Sequence, residues 1–171
     1  MPNIKQIITN HNAHISKPPI DPNTTLCNCR SANTCPLDGK CLTSNIVYKA
    51  DNNTQTCTTF YIGLTEGTFK SRYNNHKKSF NLQKYATDTE LSKHIWSLKN
   101  TNTHYTIHWS ILKQIPPMKQ PTQACPLCNA EKLAILSLSN PNMLNTRSEI
   151  MSKCRHQNKF YSHPSNRIKL K

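Results

Sequence analysis

Eight cysteines in a chain of 171 residues constrain what this chain can fold into more than any other feature. Only 35% of the residues are hydrophobic, against ~45–50% in ordinary globular domains, so the core is modest and needs additional support. We expect no membrane span, because no apolar run reaches ~18 residues, and no signal peptide, because the first residues lack a continuous apolar region. Without secretion, the cysteines are expected to be thiolate ligands of structural zinc rather than disulfides.

Seven of the cysteines fall into two groups whose spacing is typical of metal ligands. One group contains a CxxC pair, which presents two thiolates to one ion, and it consists of Cys125, Cys128, Cys154 and His156. The other begins with a less usual CxC pair and consists of Cys27, Cys29, Cys35 and Cys41. We predict one tetrahedral Zn²⁺ site in each group. The alternative is that these cysteines are ordinary small buried residues, and Cys57, outside both groups, is expected to be a free thiol.

The charge of the chain is strongly basic. Lysine and arginine number 22 against 8 aspartate and glutamate, which gives a formal charge of +14 and an isoelectric point near 9.6. A chain with this charge and no amphipathic membrane helix is expected to bind a polyanion, and nucleic acid is the first candidate. The alternative is a basic protein without a polyanionic partner.

Hydrophobic periodicity predicts a small mixed domain in the element order β-β-α-α-β-α. The first two strands are expected to form a hairpin across polar, turn-like residues. Thr65 or Thr68 is expected to cap the first helix, and the spacing from Thr87 to Glu90 predicts a capping box for the second. The predicted strands are 45–49, 58–63 and 105–111, and the predicted helices are 69–82, 87–99 and 127–138. The fold class is therefore α/β (α+β), with a small three-stranded antiparallel sheet flanked by helices and with zinc-binding elements.

Composition divides the chain into four segments. Residues 1–26 are polar and proline-containing, and we expect a flexible N-terminal arm or linker. Residues 27–44 form the first cysteine-rich, zinc-binding segment, and residues 45–156 form the main domain with the second zinc site. Residues 157–171 are a basic C-terminal tail.

Side chains able to do chemistry are few, because aspartate and glutamate together number only eight. Tyr48 and Tyr61 fall on the paired strands, where a hydroxyl can line a site or a ring can fill the core. Arg72 and His76 are four residues apart and share a helix face, on which arginine can bind phosphate. Glu131 lies one helical turn after the CxxC pair, and a lone carboxylate suits Mg²⁺. Each of these residues, taken alone, more often has a structural role. For Glu131 that role is a solvated charge on a helix face.

Together these residues resemble the pattern of the GIY-YIG nucleases. The similarity includes Tyr61-Ile62-Gly63, Tyr48 upstream of it, and Arg72 and Glu131 downstream, whereas Ile46-Val47-Tyr48 lacks the glycine of the first motif. Over about residues 25–162, the chain resembles the endonuclease domain of Penelope-like retroelements, with both cysteine groups included. The strings that resemble it are CNCR, CPLDGKC, IVYKA, YIGLTEGTFKSRYNNHKKSF, TELSKHIWSLK, CPLCNAEKLAIL, LNTRSEI and KCRHQNKFY.

The resemblance implies a role for four residues of the first half of the domain. Tyr48 would be the general base that activates a water molecule, and Tyr61 would position the water or the phosphate. Arg72 would stabilise charge on the phosphate in the transition state. His76 would assist by proton transfer or by contact with the phosphate.

Two residues of the second half complete the implied site. Glu131 would hold one divalent cation, Mg²⁺ or Mn²⁺, which polarises the phosphodiester and stabilises the leaving oxygen. Asn145, in LNTRSEI, falls where members of the family often have a supporting asparagine. The implied activity is that of a GIY-YIG nuclease-like, metal-dependent DNA endonuclease that nicks one strand.

The resemblance also implies partners and a place in the cell. The implied substrate is DNA. The chain is too short to include the reverse transcriptase of a complete element, so we expect a detached endonuclease module, a fragment of a longer polyprotein that includes a reverse transcriptase domain, or a co-opted host gene. A nuclear location follows from the DNA substrate. Two alternatives remain open at this point: a zinc-dependent DNA-binding module without catalysis, and an inactive retroelement remnant.

Overall fold

In the described part of the chain, three antiparallel strands form one sheet in the order β2-β1-β3. The computed structural model describes residues 3–15, 26–116, 125–151 and 154. The strands are β1 (Ile46–Thr54), β2 (Thr58–Thr65) and β3 (Tyr105–Gln114). The helices are α1 (Ile4–Ile15), α2 (Phe69–Asn81), α3 (Glu90–Asn100), α4 (Pro126–Ser137) and α5 (Arg147–Met151). The predicted α+β class with a small three-stranded antiparallel sheet is confirmed.

Helices cover both faces of the sheet, so the core is divided into two apolar clusters. The first cluster packs residues of the sheet against α2 and α3, and its largest members are Trp109, Tyr48, Tyr61, Phe69 and Phe80. Leu91 and Ile95 are its members from α3. The second packs the other face against α4, and it contains Val47, Phe60, Ile62, Ile115, Leu127 and Ile135. Because β1 is the central strand, alternate β1 side chains supply both clusters.

Strand β1 is longer than predicted. The polar residues from Ala50 to Thr54, expected to be turn-like, continue β1 and pair with β2 on one side and β3 on the other. Asn and Asp have low strand propensity, but hydrogen bonds from two neighbouring strands outweigh that local preference. The turn of the hairpin is therefore confined to residues 55–57.

The start of α2 is tied to the cysteine-rich segment by backbone hydrogen bonds. The N–H groups of Phe69 and Lys70 donate to the carbonyl oxygens of Thr43 (2.9 Å) and Cys41 (2.7 Å). The Thr68 hydroxyl oxygen accepts a hydrogen bond from the Ser71 N–H, which confirms Thr68 as the N-cap. The first-turn N–H groups of α2 therefore find their partners in the segment that precedes β1.

The second helix begins later than the predicted capping box. Thr89, not Thr87, is the N-cap of α3, and its hydroxyl oxygen accepts a hydrogen bond from the Ser92 N–H at 3.1 Å. The Ser92 hydroxyl is buried and bonds to both Thr89 and Ser79. Burial of this hydroxyl network, which local sequence does not reveal, favours the later start.

Two parts of the architecture are not predicted from the sequence. Residues 142–144 lie along the free edge of β2, where the Phe60 N–H donates to the Asn142 carbonyl (3.0 Å) and the Leu144 N–H donates to the Phe60 carbonyl (2.8 Å). Helix α5 follows this segment. The edge of β2 is thus covered and is not open to pairing with another chain.

The N-terminal arm contains a helix that the sequence analysis does not predict. Helix α1 leaves Ile4 and Ile7 exposed. Residues 16–25 and the basic tail from residue 157 onwards lie outside the described residues. Within the described residues, no helix combines the length and the apolar character needed to cross a bilayer.

Gly63 provides a test of the packing between β1 and β2. It pairs with Tyr48, and a Cβ at Gly63 would lie 2.5 Å from the Tyr48 hydroxyl oxygen and 2.9 Å from a Tyr61 ring carbon. Both rings are buried and have no space to retreat. We expect Gly63→Ala to lower the free energy of unfolding in urea by about 1–3 kcal/mol.

Gly67→Ala is the matched control for this prediction. A Cβ at Gly67 has no atom within 4 Å, so its effect is expected to stay within about 0.5 kcal/mol. Equal destabilisation by the two substitutions would contradict the close packing of Gly63 against Tyr48.

Candidate functional site

The hydroxyl of Tyr48 is enclosed at the centre of the first core cluster. Tyr48 has no exposed surface, and its oxygen accepts a hydrogen bond from Arg72 Nε at 2.9 Å. His76 Nε2 lies 2.7 Å from the same oxygen. Burial raises the pKa of Tyr48, although the Arg72 guanidinium opposes this effect. Tyr48 is therefore a neutral phenol at pH 7, held between a cation and an imidazole.

His76 is the natural acceptor for the Tyr48 proton. Burial, and secondly the charge of Arg72, lower the pKa of His76 to about 3, so the ring is neutral at pH 7. Because Arg72 Nε–H donates to the Tyr48 oxygen, the phenol proton needs a separate acceptor, and His76 Nε2 is at the right distance. The three side chains form a chain of hydrogen bonds that runs from Arg72 through Tyr48 to His76.

Arg72 and His76 share one face of α2, as their four-residue spacing predicts, and both side chains contact the Tyr48 oxygen. His76 is buried among the rings of Tyr48, Phe80 and Trp109, whereas Arg72 is half-buried. The hydrogen bond from Tyr48 satisfies the imidazole inside the core, which allows a polar side chain on the buried face of α2.

Tyr61 lies on β2 beside Gly63 and is almost fully buried. Burial raises the pKa of Tyr61 well above its usual value, and the neighbouring Tyr48 and Glu149 add to this increase. Tyr61 in turn lowers the pKa of the Glu149 carboxyl, against the larger effect of burial. The absence of a side chain at Gly63 allows the two phenol rings to approach one another.

Glu131 interacts with these ionisable groups from α4, which packs on the other face of the sheet from α2. Helix α4 packs on the second core cluster, yet Glu131 interacts electrostatically with Arg72 on α2. Burial, and secondly the charge of Glu149, raise the pKa of Glu131 to about 7, while Arg72 lowers it. A divalent cation would relieve the repulsion between these two carboxylates, and carboxylate oxygen is a ligand type that Mg²⁺ accepts.

Asn145 contacts the backbone of β2. Its Oδ1 accepts a hydrogen bond from the Ile62 N–H at 2.7 Å, and its Nδ2 donates to the Ile62 carbonyl at 2.8 Å. The same Nδ2 donates to Glu149 Oε2 at 2.9 Å. The side-chain amide thus pairs with β2 as a neighbouring strand would, next to Tyr61.

Glu149 is the residue of this site that the sequence analysis misses. It lies in the first turn of α5, and its charge raises the pKa of Glu131, Tyr48 and Tyr61. Two signals were present in the sequence: the spacing Thr146-x-x-Glu149 of a capping box, and the scarcity of acidic residues. Neither signal shows that the start of α5 lies beside β2.

The first cysteine group comes together as predicted. The sulfur atoms of Cys27, Cys29, Cys35 and Cys41 all lie within 4.8 Å of one another and could hold a metal such as zinc. Cys41 Sγ lies 3.5 Å from Cys27 Sγ and 3.6 Å from Cys29 Sγ. Sulfur ligands around one Zn²⁺ are separated by about 3.8 Å, since each Zn–S bond is about 2.3 Å. These distances therefore match a shared ion.

Cys35 has the surroundings of a metal-bound thiolate. Burial tends to raise its pKa, but backbone N–H groups of Leu37 and Gly39 donate hydrogen bonds to its sulfur and bring the pKa to about 6. Asp38 and Gly39 adopt positive φ angles of 46° and 87°, which form the tight turn around the sulfur. At Cys41, by contrast, burial raises the pKa to about 12. Ligation by a cation would keep such buried thiols ionised.

The second cysteine group joins the start of α4 to Cys154, which lies three positions after the last residue of α5. The sulfur atoms of Cys125, Cys128 and Cys154 lie within 4.8 Å of one another and could hold a metal. Cys125 is the N-cap of α4. The predicted fourth ligand, His156, lies outside the described residues. Cys57 belongs to neither cluster and is exposed in the hairpin turn.

No protein-family model, no curated protein and no solved structure matches this chain. The resemblance to the GIY-YIG nucleases stays a prediction from the sequence. Function is therefore inferred from the residues of the site and from their geometry.

The burial of neutral His76 predicts how stability depends on pH. The pKa of His76 is about 3 in the folded protein and about 6.5 in the unfolded chain, so the unfolded chain binds the proton first as the pH falls. Above pH 6.5, His76 does not affect the free energy of unfolding. Below pH 6.5, protonation of His76 in the unfolded chain lowers that free energy. Between pH 7 and pH 5 the loss is about 2 kcal/mol.

His76→Gln is the variant that tests this dependence, because glutamine keeps a polar partner for Tyr48 but does not titrate. The ionisable groups that face His76 are Arg72, Tyr48 and Tyr61, and all three keep their charge state between pH 5 and 7. Urea unfolding with zinc present is expected to show about 2 kcal/mol less acid destabilisation in this variant. An equal dependence of the free energy of unfolding on pH in the wild type and in His76→Gln would contradict a neutral buried His76.

Cys154→Ser tests the second metal cluster. We expect the zinc content to fall from two ions to one per chain and the melting temperature to fall, because Cys154 connects the end of α5 to the start of α4. Cys57→Ser, which removes the cysteine outside both clusters, is expected to keep both ions. Atomic emission of the purified proteins measures the content, and unchanged zinc in Cys154→Ser would contradict the site.

Proposed function

We propose that this chain is a DNA endonuclease that depends on a divalent cation and nicks one strand by hydrolysis. The observation that supports the proposal best is the electrostatic coupling of Tyr48, Tyr61, Arg72 and Glu131, which come from four different elements. A phenol, a guanidinium and a carboxylate of raised pKa are groups suited to phosphoryl transfer. The residues are those for which the GIY-YIG resemblance implies catalytic roles.

The hydrogen bonds of Tyr48 suggest how water would be activated. Tyr48 would accept the proton of the attacking water as its own proton passes to His76 Nε2. His76 becomes basic enough for this once water enters and the Arg72 charge moves away, because burial and that charge are what lower its pKa in the free protein. In the free protein the Tyr48 oxygen is enclosed, so water reaches it only when Arg72 leaves it. The guanidinium leaves that oxygen for a phosphate oxygen, where it stabilises the developing charge.

Glu131 is the residue that would hold the cation. Its carboxylate is half-buried and is repelled by Glu149, so binding of a cation is more favourable there than at an isolated surface carboxylate. When bound, Mg²⁺ or Mn²⁺ supplies electrostatic stabilisation of the phosphodiester and of the leaving oxygen. Glu131 orients that charge relative to Arg72, which lies within electrostatic range.

The charge of the chain supports DNA as the substrate. A formal charge of +14 favours binding to the phosphate backbone without sequence preference. We propose a nuclear location on this basis. We also propose that a nick made by this domain provides a 3′ end to a reverse transcriptase, as the retroelement resemblance implies.

One observation favours a second candidate function, a zinc-dependent DNA-binding module without catalysis. The Tyr48 hydroxyl is fully enclosed, as expected for a structural residue of the core. The metal clusters and the basic charge serve binding equally well. DNA binding that weakens with salt, without nicking in Mg²⁺ or Mn²⁺, would identify this function.

Glu131→Ala tests the proposed endonuclease on supercoiled plasmid with Mg²⁺. We expect nicking to fall by about 100-fold or more, because the variant lacks the carboxylate that holds the cation. The Kd for DNA should change by no more than about threefold, since the lysines and arginines that contact phosphate are intact. Asp88→Ala removes an exposed acidic residue and is the charge-matched control. Wild-type nicking by Glu131→Ala would remove Glu131 from the mechanism.

A further inference from the structure

One side of α2 continues from the candidate site to the surface as a row of polar and basic side chains. Arg72, Asn75 and Lys78 are three residues apart, so they are neighbours along that side of the helix. Arg72 is half-buried and bonded to Tyr48, whereas Asn75 and Lys78 are exposed. Lys78 lies about 9 Å beyond Arg72 along the helix axis, at 1.5 Å per residue. The row therefore leads from the guanidinium of the site to an exposed ammonium group.

The row ends at a tyrosine ring that two lysines contact. Tyr85 belongs to the short 3₁₀ turn Gln83–Tyr85, which follows α2. Lys78 Nζ lies 4.6 Å from the centre of the Tyr85 ring, and Lys84 Nζ lies 4.9 Å from it. Attraction between each cation and the ring holds both ammonium groups there, although the two charges repel one another. A bound anion would relieve this repulsion.

No carboxylate of the chain neutralises these two lysines. From residue 67 to residue 87 the sequence has five lysines and arginines and no aspartate or glutamate. Asp88 follows this stretch and is exposed, but among the described residues neither Lys78 nor Lys84 forms an ion pair. Both positive charges are therefore free to meet an anion of another molecule.

The end of α2 is fixed on α3, so the lysines project from an ordered support. The Trp96 Nε1–H donates to the Ser79 carbonyl at 2.8 Å, and the Ser79 hydroxyl bonds to the Ser92 hydroxyl at 2.7 Å. Lys99 donates to the Phe80 carbonyl. A surface that is already ordered loses less conformational entropy when a ligand binds.

We propose that Asn75, Lys78 and Lys84 form the surface on which the phosphate backbone of duplex DNA lies beside the candidate active site. The inference rests on the proposed function. Phosphates of one strand are spaced about 3.4 Å apart along the duplex axis. A strand whose reacting phosphate meets Arg72 therefore has phosphates near Lys78 roughly two to three nucleotides further on. The lysines supply ionic contacts and Asn75 an amide donor, which position the strand without reading its sequence.

Lys78→Ala and Lys84→Ala test this surface through the salt dependence of DNA binding. Fluorescence anisotropy of a labelled duplex, with zinc present and without Mg²⁺, measures Kd in the absence of cleavage. Each substitution should reduce the slope of log K against log salt by about 1, because one phosphate contact is lost. The double variant should reduce the slope by about 2 and raise Kd by about 10-fold. A wild-type slope in the double variant would overturn the proposal.

Lys113→Ala is the charge-matched control for each single variant. Lys113 is an exposed lysine of β3 and pairs with Val47, whose side chain belongs to the second core cluster, on the other face of the sheet from α2. Its substitution removes one positive charge but none of the proposed contacts, so Kd should change by less than about twofold. A loss as large as that of Lys84→Ala would overturn the proposal, because net charge alone would then explain the effect.

Protection from acetylation locates the DNA on the unsubstituted chain. An N-hydroxysuccinimide ester of acetic acid modifies exposed lysines, and mass spectrometry measures the rate at each one with and without saturating duplex. DNA should slow the acetylation of Lys78 and Lys84 and leave the rate at Lys113 unchanged. Unchanged rates at both Lys78 and Lys84 would overturn the proposal.

These measurements separate the surface from the proposed function. A wild-type chain that binds DNA through these lysines and fails to nick plasmid with Mg²⁺ would overturn the endonuclease and support the surface. A wild-type chain that nicks plasmid, with a double variant that binds and nicks equally well, would overturn the surface alone. A wild-type chain that does not bind DNA would overturn both.

Discussion

The enclosed hydroxyl of Tyr48 is the constraint on which the rest of the structure depends. A buried hydroxyl without partners is costly, so Arg72 and His76 are drawn from α2 to the central strand of the sheet. Gly63, opposite Tyr48, leaves the space that the phenol occupies. The same packing that completes the first core cluster therefore assembles the groups of the candidate active site.

The two cysteine clusters hold the ends of the helices that bring charge to this centre. Carbonyl oxygens of Cys41 and Thr43 accept hydrogen bonds from the first N–H groups of α2, the helix of Arg72. The second cluster joins the start of α4, the helix of Glu131, to the end of the segment that contains Glu149. The modest core is thus supplemented by cysteine clusters that support the starts of α2 and α4. A small displacement of either helix start would move Arg72 or Glu131 by a comparable distance.

The opposed carboxylates Glu131 and Glu149 have different surroundings, and this difference separates their roles. Glu149 accepts hydrogen bonds from Asn145 and from the Thr146 N–H, which oppose the effect of burial on its pKa. Burial and the charge of Glu149 raise the pKa of Glu131 to about 7, and only the charges of Arg72 and Lys132 oppose this increase. Glu131 is therefore the better candidate for holding a cation.

Local patterns determined the order of the elements from β1 to α4, the antiparallel sheet and the grouping of the cysteines, because periodicity and ligand spacing are properties of short segments. They also pointed to Tyr48, Tyr61, Arg72, His76 and Glu131, the first four through motif spacing around the hairpin and the next helix. Only the tertiary structure decided that His76 is buried, that Asn145 pairs with the backbone of Ile62, and that Asn145 also donates to Glu149. These contacts join residues up to 83 positions apart, and such pairings depend on how layers pack rather than on any local preference.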